Sequence, residues 1–315
     1  MGSAHDIRSE AFASLGLGIA ALFWAAAFIA GKVVLAEMSP LSVAAWRFVI
    51  AGGVLLPIAY HQFPGWQALK SAARPLAFMT LCAGILYPWI FLAALARTSA
   101  ANTSLLIALN PIFTLCLSGL VGERLSARNA IGAALALSGA AMVITRGDWS
   151  AVAQLTALNT GDLLALLGAA CWASFNLTSR SVAVGLPHGF VNGLIYGIGG
   201  VVLFTMASAE APVQQLFAAS TAALACLCLM AIVSSVIAGM LFLHGIRTLG
   251  VNRTVLFIYL VPPLTALQSV LLLGETLHLA QLAGGALALA GVYWATKPSA
   301  SATTVRRLEP ASVRE

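Results

Sequence analysis

The chain is an internal duplication, and each copy carries an odd number of apolar spans. Residues 12–31 lie over 163–179 so that Trp24-Ala25 meets Trp172-Ala173 and, just beyond, Lys32 meets Arg180. Arg97-Thr98 with Asn102 matches Arg247-Thr248 with Asn252, and Gly122-Glu123 matches Gly274-Glu275. GAALALSG at 132–139 then falls on GGALALAG at 284–291, so the offset creeps from 148 through 150 to 152. An odd span count forces the second copy to enter a membrane upside down relative to the first. Inverted pairs of this kind build secondary transporters, whose substrate site lies near the midplane between the halves.

Composition places the chain in lipid. Apolar residues make up 60% and charged residues 8%, too few charges to clothe a water-soluble body of this length. A helix needs about 20 apolar residues to cross the hydrocarbon core. Ten segments meet that length: 12–31, 41–60, 75–96, 99–121 and 127–145 in the first copy, and 162–184, 188–208, 221–246, 251–273 and 278–296 in the second. Continuous apolarity rules out the alternating strands of a membrane barrel. The expected fold is therefore an all-α membrane protein of ten transmembrane helices in two inverted five-helix repeats. Residues 1–11 form an N-terminal tail, 12–146 the first repeat, 147–160 a connector, 161–296 the second repeat and 297–315 a C-terminal tail.

Basic residues set the orientation. With the N-terminus inside, 12 of the 16 Lys and Arg fall on the cytoplasmic side, leaving Lys32, Arg47, Arg97 and Arg146 outside or facing out. Both tails are then cytoplasmic. The net charge of +6 thus reads as a topology signal, not as a nucleic-acid surface. The five cysteines, Cys82, Cys116, Cys171, Cys226 and Cys228, all sit in apolar segments and read as small apolar residues, so no metal site or disulfide is expected. No cofactor is expected either.

Polar and aromatic groups inside spans are costly, and they mark candidate function. Asn110, Asn176, Ser104, Thr178, Ser234, Ser235, His244 and Gln268 lie in or near that depth, with Tyr87, Trp89, Asn192, Tyr196 and Tyr259 around them. Trp24 and Trp172 sit mid-span at matching places, where paired indoles suit an amphipathic, ring-bearing solute or simply pack the repeat interface. Pro88, Pro111 and Pro262-Pro263 each free a backbone carbonyl, giving a hinge along a pathway or a fixed bend. The runs 132–139 and 284–291 read as packing surfaces, on each other or on a second copy, so the chain is a monomer or a homodimer. Arg47 either snorkels to the headgroups or faces a vestibule and attracts a carboxylate. None of the ten acids falls at mid-depth, which disfavours a permanent cation as main substrate. Glu123 and Glu275 are expected to cap or pair beside spans four and nine. Gly-x-Ser-x-Gly and His-Glu-x-x-His are absent and the five histidines are scattered, so no catalytic residue is assigned.

Over residues 12–296 the chain resembles the drug/metabolite transporter superfamily, through the early Trp in each copy, Arg47 after Pro40, and the turns Gly122-Glu123-Arg124-Leu125 and Gly274-Glu275-Thr276-Leu277. Each half is similar to the EamA-type repeat, and the whole is most similar to the YddG-type exporters of aromatic amino acids. That resemblance implies a central cavity among spans one, three, four, six, eight and nine. By span position its lining would be Trp24, Tyr87, Trp89, Asn102, Asn110, Trp172, Asn176, Ser234 and Tyr259. It implies a small-molecule substrate, the lipid bilayer of a bacterial inner membrane as surroundings, and export by alternating access, facilitative for want of a coupling carboxylate. Export of drugs or methylated cations is the alternative, and a membrane-embedded enzyme a distant one.

Overall fold

The structure, a computed structural model, describes residues 2–122, 126–147, 159–182, 186–249, 254 and 256–296. Among these the regular elements are all helical. The Glu123–Leu125 turn, Asn252 with Arg253, most of the 147–160 connector and the 297–315 tail lie outside the described residues.

The described residues of the ten expected ranges lie mostly in helices. They are α1 (Gly2–Leu35), α2 (Pro40–Tyr60), α4 (Ala73–Leu95), α5 (Ala100–Leu120), α6 (Ala127–Thr145), α7 (Thr160–Val182), α8 (His188–Met206), α10 (Thr221–Leu249), α11 (Val261–Leu273, led in by a 3-10 turn at Leu256–Leu260) and α12 (Leu279–Thr296). Two short helices, α3 (Trp66–Ser71) and α9 (Pro212–Ala218), occupy matching loops between the second and third spans of each copy. Among the described residues seven helices are long and apolar enough to cross a membrane, and two stretches, Phe257–Leu273 and Leu279–Ala295, are apolar but shorter. α7 is in neither group, and it carries Asp162, Ser174, Asn176, Thr178 and Ser179. α1 runs further toward the N-terminus than residue 12, so the expected tail is mostly helical.

Local chemistry explains the starts and stops. Ser39, Ser99, Ser126 and Ser220 each accept a backbone N–H from three residues on, the N-cap bond that satisfies one orphan donor of a helix. At Ser126 the bond is reciprocated by Asn129, completing a capping box. The glycines of the two Gly-Glu turns have φ of 91° at Gly122 and 66° at Gly274. A left-handed residue ends a helix at little cost only when it lacks a Cβ, which is why both repeats keep glycine there.

Packing follows the duplication. α6 lies along α12 and α2 along α8, while α1 packs on α10 and α11 as α7 packs on α4 and α5. This is the exchange expected of a pseudo-two-fold axis between inverted copies. The glycine-rich runs do face each other. A Cβ on Gly132 would stand 2.5 Å from the backbone N of Ala295, and one on Gly284 would stand 2.7 Å from the carbonyl O of Gly139. Such contact is possible only for small residues, and it replaces the hydrophobic drive that lipid cannot supply. The inside is filled by Phe28, Phe91, Leu92, Leu95, Leu106 and Met230, yet Leu120, Leu271, Leu272 and Val201 are exposed. Large apolar side chains on the outside are what a lipid-facing surface requires.

Candidate functional site

Three irregularities gather at mid-length of the helices. α4 is π-helical over Thr80–Leu86, and α10 is π-helical over Leu229–Ile237, matching places in the two copies. Such turns are rare and concentrate where helices do something besides span. In α4 the next residues are Tyr87 and Pro88, and the missing Pro88 N–H leaves the Gly84 carbonyl without its usual partner. α5 breaks at Ala108-Leu109 for the same reason. Pro111 cannot bond the Ile107 carbonyl four residues back, and the Asn110 side chain donates to it instead at 3.1 Å. Pro262 and Pro263 stand in the first turn of α11, where an N–H has no helical partner to lose.

Polar side chains near these irregularities bond across the seam between the repeats. Asn176 Nδ2 of α7 donates to Asn110 Oδ1 of α5 at 3.3 Å. The Trp24 indole donates to the Ser234 carbonyl, inside the α10 π-turn, at 3.1 Å, and Ser234 Oγ returns a bond to the Phe23 carbonyl at 2.8 Å. Trp172 has ring partners: Tyr87 at 4.8 Å and Phe175 at 5.0 Å between centroids. Tyr87 in turn stacks on Phe91 at 6.0 Å, and the Arg47 guanidinium lies 5.9 Å from the centroids of both Phe91 and Phe48. Arg47 Nε donates to Ser235 Oγ at 3.0 Å, while Ser235 donates to the Met230 carbonyl at 3.0 Å. A row thus runs from half-buried Trp172 and Tyr87 through buried Phe91 to a cation. A cation enclosed among apolar helices is costly, and aromatic faces offset part of that cost.

The nine residues expected to line one cavity divide. Tyr87 and Trp172 are in ring contact, Asn110 and Asn176 are hydrogen-bonded, and Trp24 and Ser234 form a third pair. Tyr259, in the 3-10 turn ahead of α11, is half-buried against the main core. Trp89 stands 37% exposed, and residues two apart on a helix point about 200° apart, so it lies on a different face of α4 from Tyr87. Asn102 is buried elsewhere, in the polar knot described next. Arg47, Phe91 and Tyr196 were not in that set. The signal for Arg47 was its position, seven residues into α2, about 10 Å from the helix start.

The knot sits at the end of the bundle where α1 finishes. Asp162 Oδ1 accepts from Thr98 Oγ1 at 2.6 Å and from Asn102 Nδ2 at 3.4 Å, and Gln281 Nε2 donates to Asn102 Oδ1 at 2.6 Å. All four side chains are buried. Lys32 Nζ donates to the Thr98 carbonyl at 2.6 Å, and Glu275 accepts from the backbone N–H groups of Ala100 and Ala101. Glu275 therefore caps backbone, as expected, but at the N-terminus of α5 in the other repeat rather than beside its own span. Nearby, Glu37 accepts from the hydroxyl and backbone N of Ser220 at 2.7 and 2.6 Å, which hold its carboxyl below the usual carboxylate range. Ser39 bonds Glu210 and Gln215, and the Trp46 indole donates to the Pro212 carbonyl at 2.9 Å. This end of the bundle is tied shut across both halves.

A helical bundle of two repeats with an apolar outside, and an aromatic and polar seam between the repeats, is the build of a membrane transporter of small molecules. Residues 11–145 and 159–297 each match the EamA-like transporter family, and the chain belongs to it. It is 28% identical over 281 residues to "Uncharacterized transporter YyaM" of Bacillus subtilis (strain 168), covering 87% of this chain and 90% of that protein. It is 26% identical over 284 residues to the "Probable terminal-alkyne amino-acid exporter" of Streptantibioticus cattleyicolor, covering 85% and 88%. A solved crystal structure superposes with a TM-score of 0.58 over 95% of this chain and 98% of its own, at 21% identity, a likeness of fold alone.

Proposed function

We propose that this chain exports aromatic amino acids or related small metabolites across a bacterial inner membrane by alternating access, as the YddG-type exporters do. All ten helices cross the bilayer, with both tails in the cytoplasm. The single observation that carries the substrate reading is the row Trp172–Tyr87–Phe91 beside the Asn110–Asn176 pair at the seam. Rings offer a flat solute stacking area, and the amides answer its polar groups. In the positive-inside orientation the knot around Asp162 and Glu275 is the outer closure. Release follows when the halves rock and that knot parts, with α4 and α5 bending at Pro88 and Pro111 and α11 pivoting as a unit at its Pro262-Pro263 start. The name carried by the amino-acid exporter of Streptantibioticus cattleyicolor supports the same class.

The test is uptake of labelled phenylalanine or tryptophan by proteoliposomes, with and without a pH gradient. Saturable uptake that needs no gradient is the expected result. Absence of uptake under both conditions would sink the aromatic-substrate reading and bring methylated cations to the front.

A further inference from the structure

Arg47 has a role to fill that packing alone leaves open. Its guanidinium is placed inside the bundle, on the faces of Phe48 and Phe91, with Ser235 Oγ on Nε. Its partners are the Ser235 hydroxyl and the two phenyl faces, and among the described residues none of them is an Asp or Glu. The lysine at the end of α1 and the outer acids are satisfied in the knot, so neither is drawn to it. A guanidinium offers five N–H donors in a planar fork, and the bond to Ser235 uses one. The fork matches a carboxylate in a two-pronged geometry, and an ammonium could not replace it there.

We propose that Arg47 is the carboxylate anchor of the transport site, so that its solutes carry an anionic carboxylate as well as a ring; this rests on the transport reading above. The solute's carboxylate takes the guanidinium edge, and its ring lies along Tyr87 and Trp172, which follow Phe91 in the same row. Binding then supplies the anion that the buried cation lacks. A fixed positive charge at this point also repels a solute whose only charge is positive. Ser235 ties the anchor to the π-turn of α10 through its bond to the Met230 carbonyl. Loading of the site is thereby felt by a helix of the second repeat, while Arg47 itself belongs to the first.

The test uses purified full-length protein in liposomes and competition against labelled phenylalanine. Unlabelled 3-phenylpropionate is expected to compete and phenylethylamine to fail by at least tenfold in concentration. Arg47→Gln is expected to lower phenylalanine flux at least tenfold and to abolish inhibition by phenylpropionate, with Arg47→Lys intermediate. Equal competition by phenylethylamine overturns the anchor, and so does unchanged phenylalanine flux in a monodisperse Arg47→Gln protein. If that variant does not fold, the wild-type competition panel decides alone. Wild-type protein that moves phenylethylamine or a methylated cation but no phenylalanine refutes the anchor and keeps the transporter. Wild-type protein that moves none of these solutes removes the aromatic-substrate reading, and the anchor with it.

Discussion

Gly139 and Gly284 meet backbone to backbone: a Cβ on the first would stand 2.5 Å from the carbonyl O of the second, and one on the second 2.7 Å from the carbonyl O of the first. The contact joins the last helix of each repeat and repeats at Gly132 and Gly291, where added carbons would strike Ala295 and Ala136. Gly139→Leu is expected to separate α6 from α12 and lower the thermal midpoint by several degrees, as overpacking by about 1–3 kcal/mol does. Gly53→Ala is the control, since nothing lies within 4 Å of its added carbon. It should leave the midpoint unchanged or slightly raised in detergent-solubilised protein.

Trp24 and Trp172 match in sequence but differ in their partners. The Trp24 indole is committed to the Ser234 carbonyl. Trp24→Phe keeps the ring, removes the indole N–H that bonds that carbonyl, and should cost about 1 kcal/mol of stability. Trp172→Ala removes a ring of the proposed substrate row. Its expected signature is lost flux with normal membrane insertion, read by uptake and by protein yield in the same vesicles.

Asp162 is the centre of the buried knot. Asp162→Ala leaves Thr98 and Asn102 without their shared acceptor and should destabilise by about 1–3 kcal/mol. Asp162→Asn keeps an acceptor oxygen and should lose less. Thermal unfolding of the two variants beside wild type gives the order directly.

Glu37 gives a pH signature. Its carboxyl is held low by Ser220, so the bond stabilises the fold above the unfolded carboxylate value, about 4.3, and is lost as pH falls through the lower folded value. The thermal midpoint of wild type should exceed that of Glu37→Gln at pH 7, and the gap should close under acid below about pH 4. A gap that persists there would assign the difference to something other than the charge.

Much of this was legible in the residues. The duplication and the glycine faces of α6 and α12 rest on pattern and on residue size. The π-turns at Thr80–Leu86 and Leu229–Ile237 were not, because an extra residue per turn leaves no periodic trace over so short a run. Asp162 and Asn102 were separated in the reading by chain distance, and only the fold brings α5, α7 and α12 to one point. Trp89, close in sequence to Tyr87, lies on a different face of the same helix, which spacing along the chain alone does not convey.

Counterflow tests the central claim most directly. Proteoliposomes loaded with unlabelled tryptophan and diluted into a trace of labelled tryptophan should accumulate label transiently above its outside concentration, because an alternating-access carrier exchanges solute through one site. Label that never exceeds the equilibrium level, alike in loaded and empty vesicles, would contradict a tryptophan carrier of this kind.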